Sequence, residues 1–177
     1  MFYAARELCR RGHDAVAFVG AMTRDLLAVD LDDAVPPDTV GRPTACARPF
    51  SRQGYATVVT TDDGSCGMQG TIVDGLRAHL ARMTGPERGR CQVLTCGPTG
   101  MMHAAAQAAA EAGVGCQVCL EQAMACGMAT CQSCVAPSET PRSPQGMTAD
   151  GRAWRYRLAC TDGPVFPASE GIWEMMT

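Results

Sequence analysis

CGMATCQSC, residues 126–134, followed at a distance by Cys160, is the stretch whose reading decides the fold of the C-terminal third. Its spacing, C-x4-C-x2-C with a fourth cysteine further on, is the plant-type arrangement of four thiolates around a [2Fe–2S] cluster. Gly127 lets the backbone bend tightly and approach an inorganic sulfide where a side chain would collide. Ala125, Ala129 and Ser133 keep the loop small, so its amide hydrogens can point at a cluster made net negative by its thiolates. Cys126, Cys131, Cys134 and Cys160 are therefore the candidate metal ligands, and such a site carries one electron at a time.

Zinc is the competing metal. A zinc site pairs its ligands as two close doublets, and Cys116/Cys119 with Cys131/Cys134 would supply them. However, residues 114–120 read as a short buried strand, on which residues three apart point to opposite faces. Cys116 and Cys119 then cannot easily grip one ion, and the spacing favours iron–sulfur.

Working outward, the 177 residues suffice for one ordinary domain and a small appendage. The chain is 46% apolar and 19% charged, with a formal charge of −3. It has no basic block or aromatic-basic interleaving of the kind that binds nucleic acid. No apolar run reaches the length of a membrane span, and MFYAARELCRRGHD (residues 1–14) lacks the apolar core of a signal peptide. Eleven cysteines, an odd number, fit metal or redox use in a reducing compartment better than a disulfide framework. These features predict a soluble, cytoplasmic protein.

Short apolar runs at residues 15–20, 56–60, 91–95 and 114–120 read as buried strands. Helical patterns lie at 2–11, 71–83 and 98–112, with a short helix at 23–27 capped by Thr23. Residues 32–52 hold four prolines and read as an irregular connection. The alternation predicts an α/β fold with a parallel sheet wrapped by helices, in which ligands bind at the carboxyl ends of the strands. Two segments fall there: Thr61 to Ser65 (TDDGS), and Cys96 to Gly100 (CGPTG), where Pro98 near a helix start leaves amides free for an anion. Ordinary turn chemistry accounts for both segments equally well.

Residues 137–151 read as a solvated loop, and residues 153–159 as a strand. Alternation would set Trp154, Tyr156 and Leu158 on the face of Cys160, with Arg155 and Arg157 solvated on the other. His13, His79 and His103 read as surface or packing residues, and Met124 and Met128 as flanks keeping the cluster dry. Cys9, Cys46, Cys66 and Cys91 read as small apolar residues or incidental thiols.

The stretches TTDDGSCGMQG (60–70), CGPTGMMHA (96–104), LEQAMACGMATCQSCV (120–135) and CTDGPVFPASEGIW (160–173) resemble the electron transfer subunit of heteromeric dihydroorotate dehydrogenases. The resemblance implies a ferredoxin reductase-like, parallel-sheet nucleotide-binding module over residues 1–119 and a small C-terminal [2Fe–2S] cluster domain over 120–177. It implies that an FMN-containing catalytic partner oxidises dihydroorotate in pyrimidine synthesis. Electrons then cross the [2Fe–2S] cluster to FAD and on to NAD, within a hetero-oligomer. By position, Cys126, Cys131, Cys134 and Cys160 become the cluster ligands. Cys96, Gly97 and Pro98 would line the nicotinamide–flavin contact, and Asp62, Gly64 and Ser65 would sit near the nucleotide. Glu121 falls where the module joins the cluster loop.

Departures from the family are equally plain. Its members begin with a flavin-binding β-barrel, and their nucleotide module opens with a strand and a glycine-rich turn. Met1 stands where the first helix of that module should start, which implies a truncated member with the first strand missing. On this reading the strands at 15–20 and 91–95 flank an exposed apolar seam, FAD binding by the chain alone is not expected, and NAD binding is impaired. The 25-residue spacer between Cys134 and Cys160 implies a lengthened hairpin. Two other readings stand beside this one. One is a subunit of the same architecture with another donor, as in sulfide dehydrogenase or NADPH–ferredoxin oxidoreductase; the other is a zinc-binding module without catalysis.

Overall fold

The computed structural model describes residues 2–139, 144–171, 173 and 176, and it divides into two compact units, 1–83 and 84–177. Part of the loop expected at 137–151 (residues 140–143), and Ile172 of the last resembling stretch, lie outside the described residues.

The first unit opens with α1 (Phe2–Arg10), which ends where Gly12 takes a φ of +73°, followed by β1 (Val16–Ala21). A single 3-10 turn, Arg24–Leu26, replaces the helix expected from residue 23; Thr23 makes no side-chain capping bond there, so nothing extends it. A four-residue helix, α2 (Arg48–Ser51), interrupts the proline-rich connection that was expected to be irregular. It forms because Pro49 fits the first helical turn and Phe50 drops into the core beside the fully buried Cys46 and Ala47. Next come β2 (Ala56–Thr61), the two-residue β3 (Met68–Gln69) and α3 (Ile72–Arg82).

Sheet order is β1-β2-β3, all parallel, with Val16 opposite Ala56 and Ala21 opposite Thr61. Central β2 is buried on both faces, as expected for a strand covered by helices on either side. Val59 packs with Ala5, Phe50 and Tyr55 on one face, while α3 lies against the other. There α3 sits so close that a Cβ on Gly75 would come within 2.9 Å of Thr60 Cγ2, so only glycine fits without displacement.

The second unit begins with the one-turn α4 (Gly85–Arg88), then β4 (Gln92–Cys96), α5 (Thr99–Glu111) and β5 (Gly115–Cys119). β4 and β5 are parallel, as expected. After the cysteine loop come β6 (Val135–Glu139), β7 (Gly146–Met147), β8 (Ala153–Leu158) and β9 (Val165–Pro167). β9 adds antiparallel to β5, so the second sheet is mixed, in the order β4-β5-β9. The third sheet is antiparallel, in the order β6-β8-β7. Met102 and Ala106 of α5, Val118 of β5, Ala136 of β6 and Phe166 of β9 form the core of this unit. Among the described residues, β1 and β4 each lie at an edge of their own sheet.

Two expectations about residues 137–158 change. Residues 137–139 are not loop but the end of β6, with Pro137 opposite Tyr156 and Ser138 buried. Proline is tolerated there because β6 is an edge strand of its sheet, meeting Gly171 on its far side through Ser138. Arg157 is not simply solvated either: its guanidinium lies 4.8 Å from the centroid of Phe166 and bonds Glu170 Oε2 at 2.8 Å. A flat, weakly hydrated cation stacks readily on an aromatic ring.

Candidate functional site

The cysteine loop connects β5 to β6, and its path depends on three residues with left-handed backbone: Gly127 (φ +66°), Ala129 (φ +67°) and Gln132 (φ +55°). Alternation of left-handed with ordinary conformations turns successive N–H groups toward one side, which makes an anion-attracting concavity. The amides of Met128 and Cys131 both donate to Cys126 Sγ, each at 3.4 Å. Ser133 closes the loop: its hydroxyl donates to the Ala123 carbonyl at 3.0 Å and lies 3.5 Å from Cys131 Sγ. The Cys131 thiol is drawn down to about 6, first by its hydrogen bonds with Ser133 and next by those with Cys126. A thiol that ionises readily is suited to bind metal as thiolate.

The remaining two candidates meet through the hairpin. Cys134, buried at 3% exposure, immediately precedes β6, and Cys160 lies in the turn after β8. Val135 pairs with Leu158, and the Ala159 amide donates to the Cys134 carbonyl at 2.9 Å. The antiparallel pairing of β6 with β8 thus spans the 25-residue spacer and returns Cys160 beside Cys134. Because Cys160 sits in a turn, the face alternation expected from β8 does not reach it.

Among the described residues, no three His, Cys, Asp or Glu side chains gather closely enough to hold a single metal ion. This holds for the set Cys116, Cys119, Cys131 and Cys134, and equally for the four cluster candidates. A two-iron cluster asks less convergence of its four sulfurs than one ion does, since each iron takes only two of them. The donor set fits such a cluster in kind: four cysteines, loop amides aimed at one sulfur, and one thiol ready to ionise.

Met124 and Met128, beside the cysteines, are 52% and 71% exposed. Glu121 is exposed just after β5. Of the histidines, His79 meets the ring of Phe18 edge-on at 5.5 Å, and His103 stacks on Trp173 at 5.2 Å. His103, Trp173, Gln107 and Cys116 also border a cavity of about 350 Å³ to which none of the candidate site residues contributes. Cys46 and Cys66 are buried, whereas Cys9 is exposed.

Of the nucleotide candidates, Asp62, Gly64 and Ser65 follow β2 in a tight turn. The Asp62 amide donates to Ala21 at the end of β1. Ser65 Oγ accepts the Arg24 amide and donates to Asp63 Oδ1, and that bond first, then the one from the Ser65 amide, hold the Asp63 carboxyl below its ordinary range. Cys96 ends β4, Gly97 adopts a φ of +152°, and Pro98 is the residue capping α5 rather than a member of its first turn. No side chain caps α5, so its first amides stay open to an anion.

Residues 121–170 match the iron–sulfur cluster binding domain of dihydroorotate dehydrogenase B. The chain is 33% identical over 133 residues to the dihydroorotate dehydrogenase B (NAD(+)) electron transfer subunit of Desulforamulus reducens, covering 75% of this chain and 45% of that one. It is 27% identical over 172 residues to the corresponding subunit of Bacillus caldolyticus, covering 97% of this chain and 52% of that one. A solved NADH-dependent reduced ferredoxin-NADP oxidoreductase, described for flavin-based electron bifurcation, superposes with a TM-score of 0.66 at 25% identity, covering 99% of this chain and 50% of that one. The chain thus spans about half the length of the relatives it matches. Its ferredoxin reductase-like α/β architecture and its cysteine loop make it a homologue of the electron transfer subunits of dihydroorotate dehydrogenase B.

Proposed function

We propose that this chain is an iron–sulfur electron-transfer component that serves an FMN-containing dihydroorotate dehydrogenase in pyrimidine synthesis, in the cytoplasm. The observation that carries the reading is the loop at residues 126–134, whose amides converge on Cys126 Sγ. Cys126, Cys131, Cys134 and Cys160 hold a [2Fe–2S] cluster. When bound, such a cluster would supply one-electron exchange, and a flavin would supply the conversion between single electrons and the pair that NAD takes as hydride.

The remaining assignments concern this chain's own residues. The Met128 and Cys131 amides stabilise negative charge on the Cys126 sulfur. Ser133 fixes the loop and favours the thiolate of Cys131. Residues 1–119 form the nucleotide module and 120–177 the cluster domain, a functional division that differs from the compact units meeting at Met83 and Thr84. Cys96, Gly97 and Pro98 face the nicotinamide–flavin contact. Asp62 and Gly64, exposed at the end of β2, lie nearer the nucleotide, where Ser65 holds the turn. No helix among the described residues is long and apolar enough to cross a membrane, which suits a cytoplasmic site.

The test is capture of the full chain with its partners from native extract. The reading expects FMN in the complex and bleaching of the cluster's visible absorption by dihydroorotate. The likeness to the ferredoxin-NADP oxidoreductase supports a second reading with a different donor. Bleaching by NADPH or reduced ferredoxin, and not by dihydroorotate, would favour that one.

A further inference from the structure

Cys96 and Cys119 are the last residues of two neighbouring parallel strands and are direct partners in the register of β4 with β5. Alternation places them on the same face of the sheet, opposite the face on which Val118 packs with Met102 and Ala106. Cys96 lies close enough to Cys119 to push its thiol upward. Strand ends give the backbone freedom to take up the small adjustment that an S–S bond requires. Neither residue belongs to the cysteine set at residues 126–160, and Cys96 is exposed while Cys119 is half-buried.

We propose that Cys96 and Cys119 form a reversible disulfide, a modification site at the carboxyl edge of the second sheet that reacts with low-molecular-weight disulfides. The exposed Cys96 attacks the reagent disulfide, breaking its S–S bond and releasing one reagent thiol. Cys119 then attacks the mixed disulfide at Cys96, forming the internal S–S bond and releasing the second reagent thiol. The two protein thiols lose two electrons and two protons; the reagent gains both and leaves as two thiols. The order follows from accessibility and charge. Burial, and then Cys96 beside it, push the Cys119 thiol up, which leaves the exposed Cys96 as the first thiol to react. Other cysteines of this region are placed less well: Cys116 stands opposite Val93, and Cys91 precedes β4 on the other face. Closure would also occupy the thiol at the turn before α5, and so couple that turn to the thiol–disulfide balance.

The full chain is equilibrated with oxidised and reduced glutathione at graded ratios, quenched with acid, alkylated and cleaved after glutamate. Cleavage after Glu87, Glu111 and Glu121 separates residues 88–111, which carry Cys91 and Cys96, from residues 112–121, which carry Cys116 and Cys119. The expected product is these two peptides joined through Cys96 and Cys119, lost again on reduction. It should disappear in Cys96→Ser and in Cys119→Ser and persist in Cys91→Ser and Cys116→Ser. The exposed Cys96→Ser variant guards against a folding defect in the half-buried position. Glutathione left on Cys96 with Cys119 free, or both thiols alkylated at every ratio, would overturn the proposal. The result does not depend on whether the chain transfers electrons, so it can fail while the functional reading stands.

Discussion

The amide of Cys131 points at the sulfur of Cys126 across 3.4 Å, and the amide of Met128 does the same. Two donors thus converge on one sulfur within a loop that has no regular secondary structure. Hydrogen bonds to a ligand sulfur are among the means by which a protein sets the potential of an iron–sulfur cluster.

Ser133→Ala should make Cys131 less reactive in the metal-free chain. With the thiol at about 6, the thiolate is present above that pH and is lost as pH falls through it. Alkylation of Cys131 by iodoacetamide should therefore rise with a midpoint near 6 and move upward in the variant, because Ser133 is the leading cause of the lowering. The same midpoint in both proteins would remove Ser133 from the loop's chemistry.

Ala129 holds a φ of +67°, a conformation that costs an L-residue about 1 kcal/mol relative to glycine. Ala129→Gly should keep the iron content of the loaded protein, and Ala129→Val should lower it, since a β-branched residue is a true outlier there. Iron per chain and thermal unfolding of both variants check this.

In the first unit, Thr71 and Asp74 form a reciprocal cap at the start of α3. Thr71 Oγ1 accepts from the Asp74 amide at 3.3 Å, and Asp74 Oδ2 accepts from the Thr71 amide at 2.8 Å. The Thr71 hydroxyl, which donates to Asp74 Oδ2 at 2.7 Å, and then the Thr71 amide hold the Asp74 carboxyl below its ordinary 3.8. Its folded value lies beneath its unfolded one, so the stability it contributes is complete above 3.8 and is lost as pH falls through the lower folded value. Asp74→Asn should flatten the acid limb of a stability–pH curve below that pH, and Thr71→Ala should cost about 1 kcal/mol at neutral pH. Chemical denaturation at several pH values measures both.

Much of this architecture is legible in the sequence, and the exceptions share causes. The strands at 15–20, 56–60, 91–95 and 114–120 are legible as short apolar runs, and the helices at 2–11, 71–83 and 98–112 because each is long enough to show a period. β3, β9 and α2 have two, three and four residues, too few for a pattern, and each exists because the tertiary neighbours of Met68, Phe166 and Phe50 hold it. Pro137 masked the end of β6, since a proline argues for loop until the strand is known to be an edge. The cysteine spacing announced the site, but the left-handed Ala129 and Gln132 and the position of Ser133 carry no sequence signal of their own. The Cys96–Cys119 relationship depends on strand register, which spacing along the chain does not disclose.

Gly75→Ala tests the packing of α3 on its sheet. The added methyl would meet Thr60 Cγ2 at 2.9 Å and Val58 Cγ1 at 3.2 Å, both inside the buried layer. Overpacking of this kind costs about 1–3 kcal/mol, more than alanine gains from its better helix propensity. Equal or higher stability of the variant on denaturation would show that the helix can shift away.

Metal analysis of the full chain, purified without oxygen and reconstituted with iron and sulfide, addresses the central claim most directly. The account predicts about two irons with matching acid-labile sulfide per chain. It also predicts an electron paramagnetic resonance signal on reduction, which Cys131→Ser removes or alters. A colourless protein that holds zinc, or one whose signal is unchanged by Cys131→Ser, would contradict it.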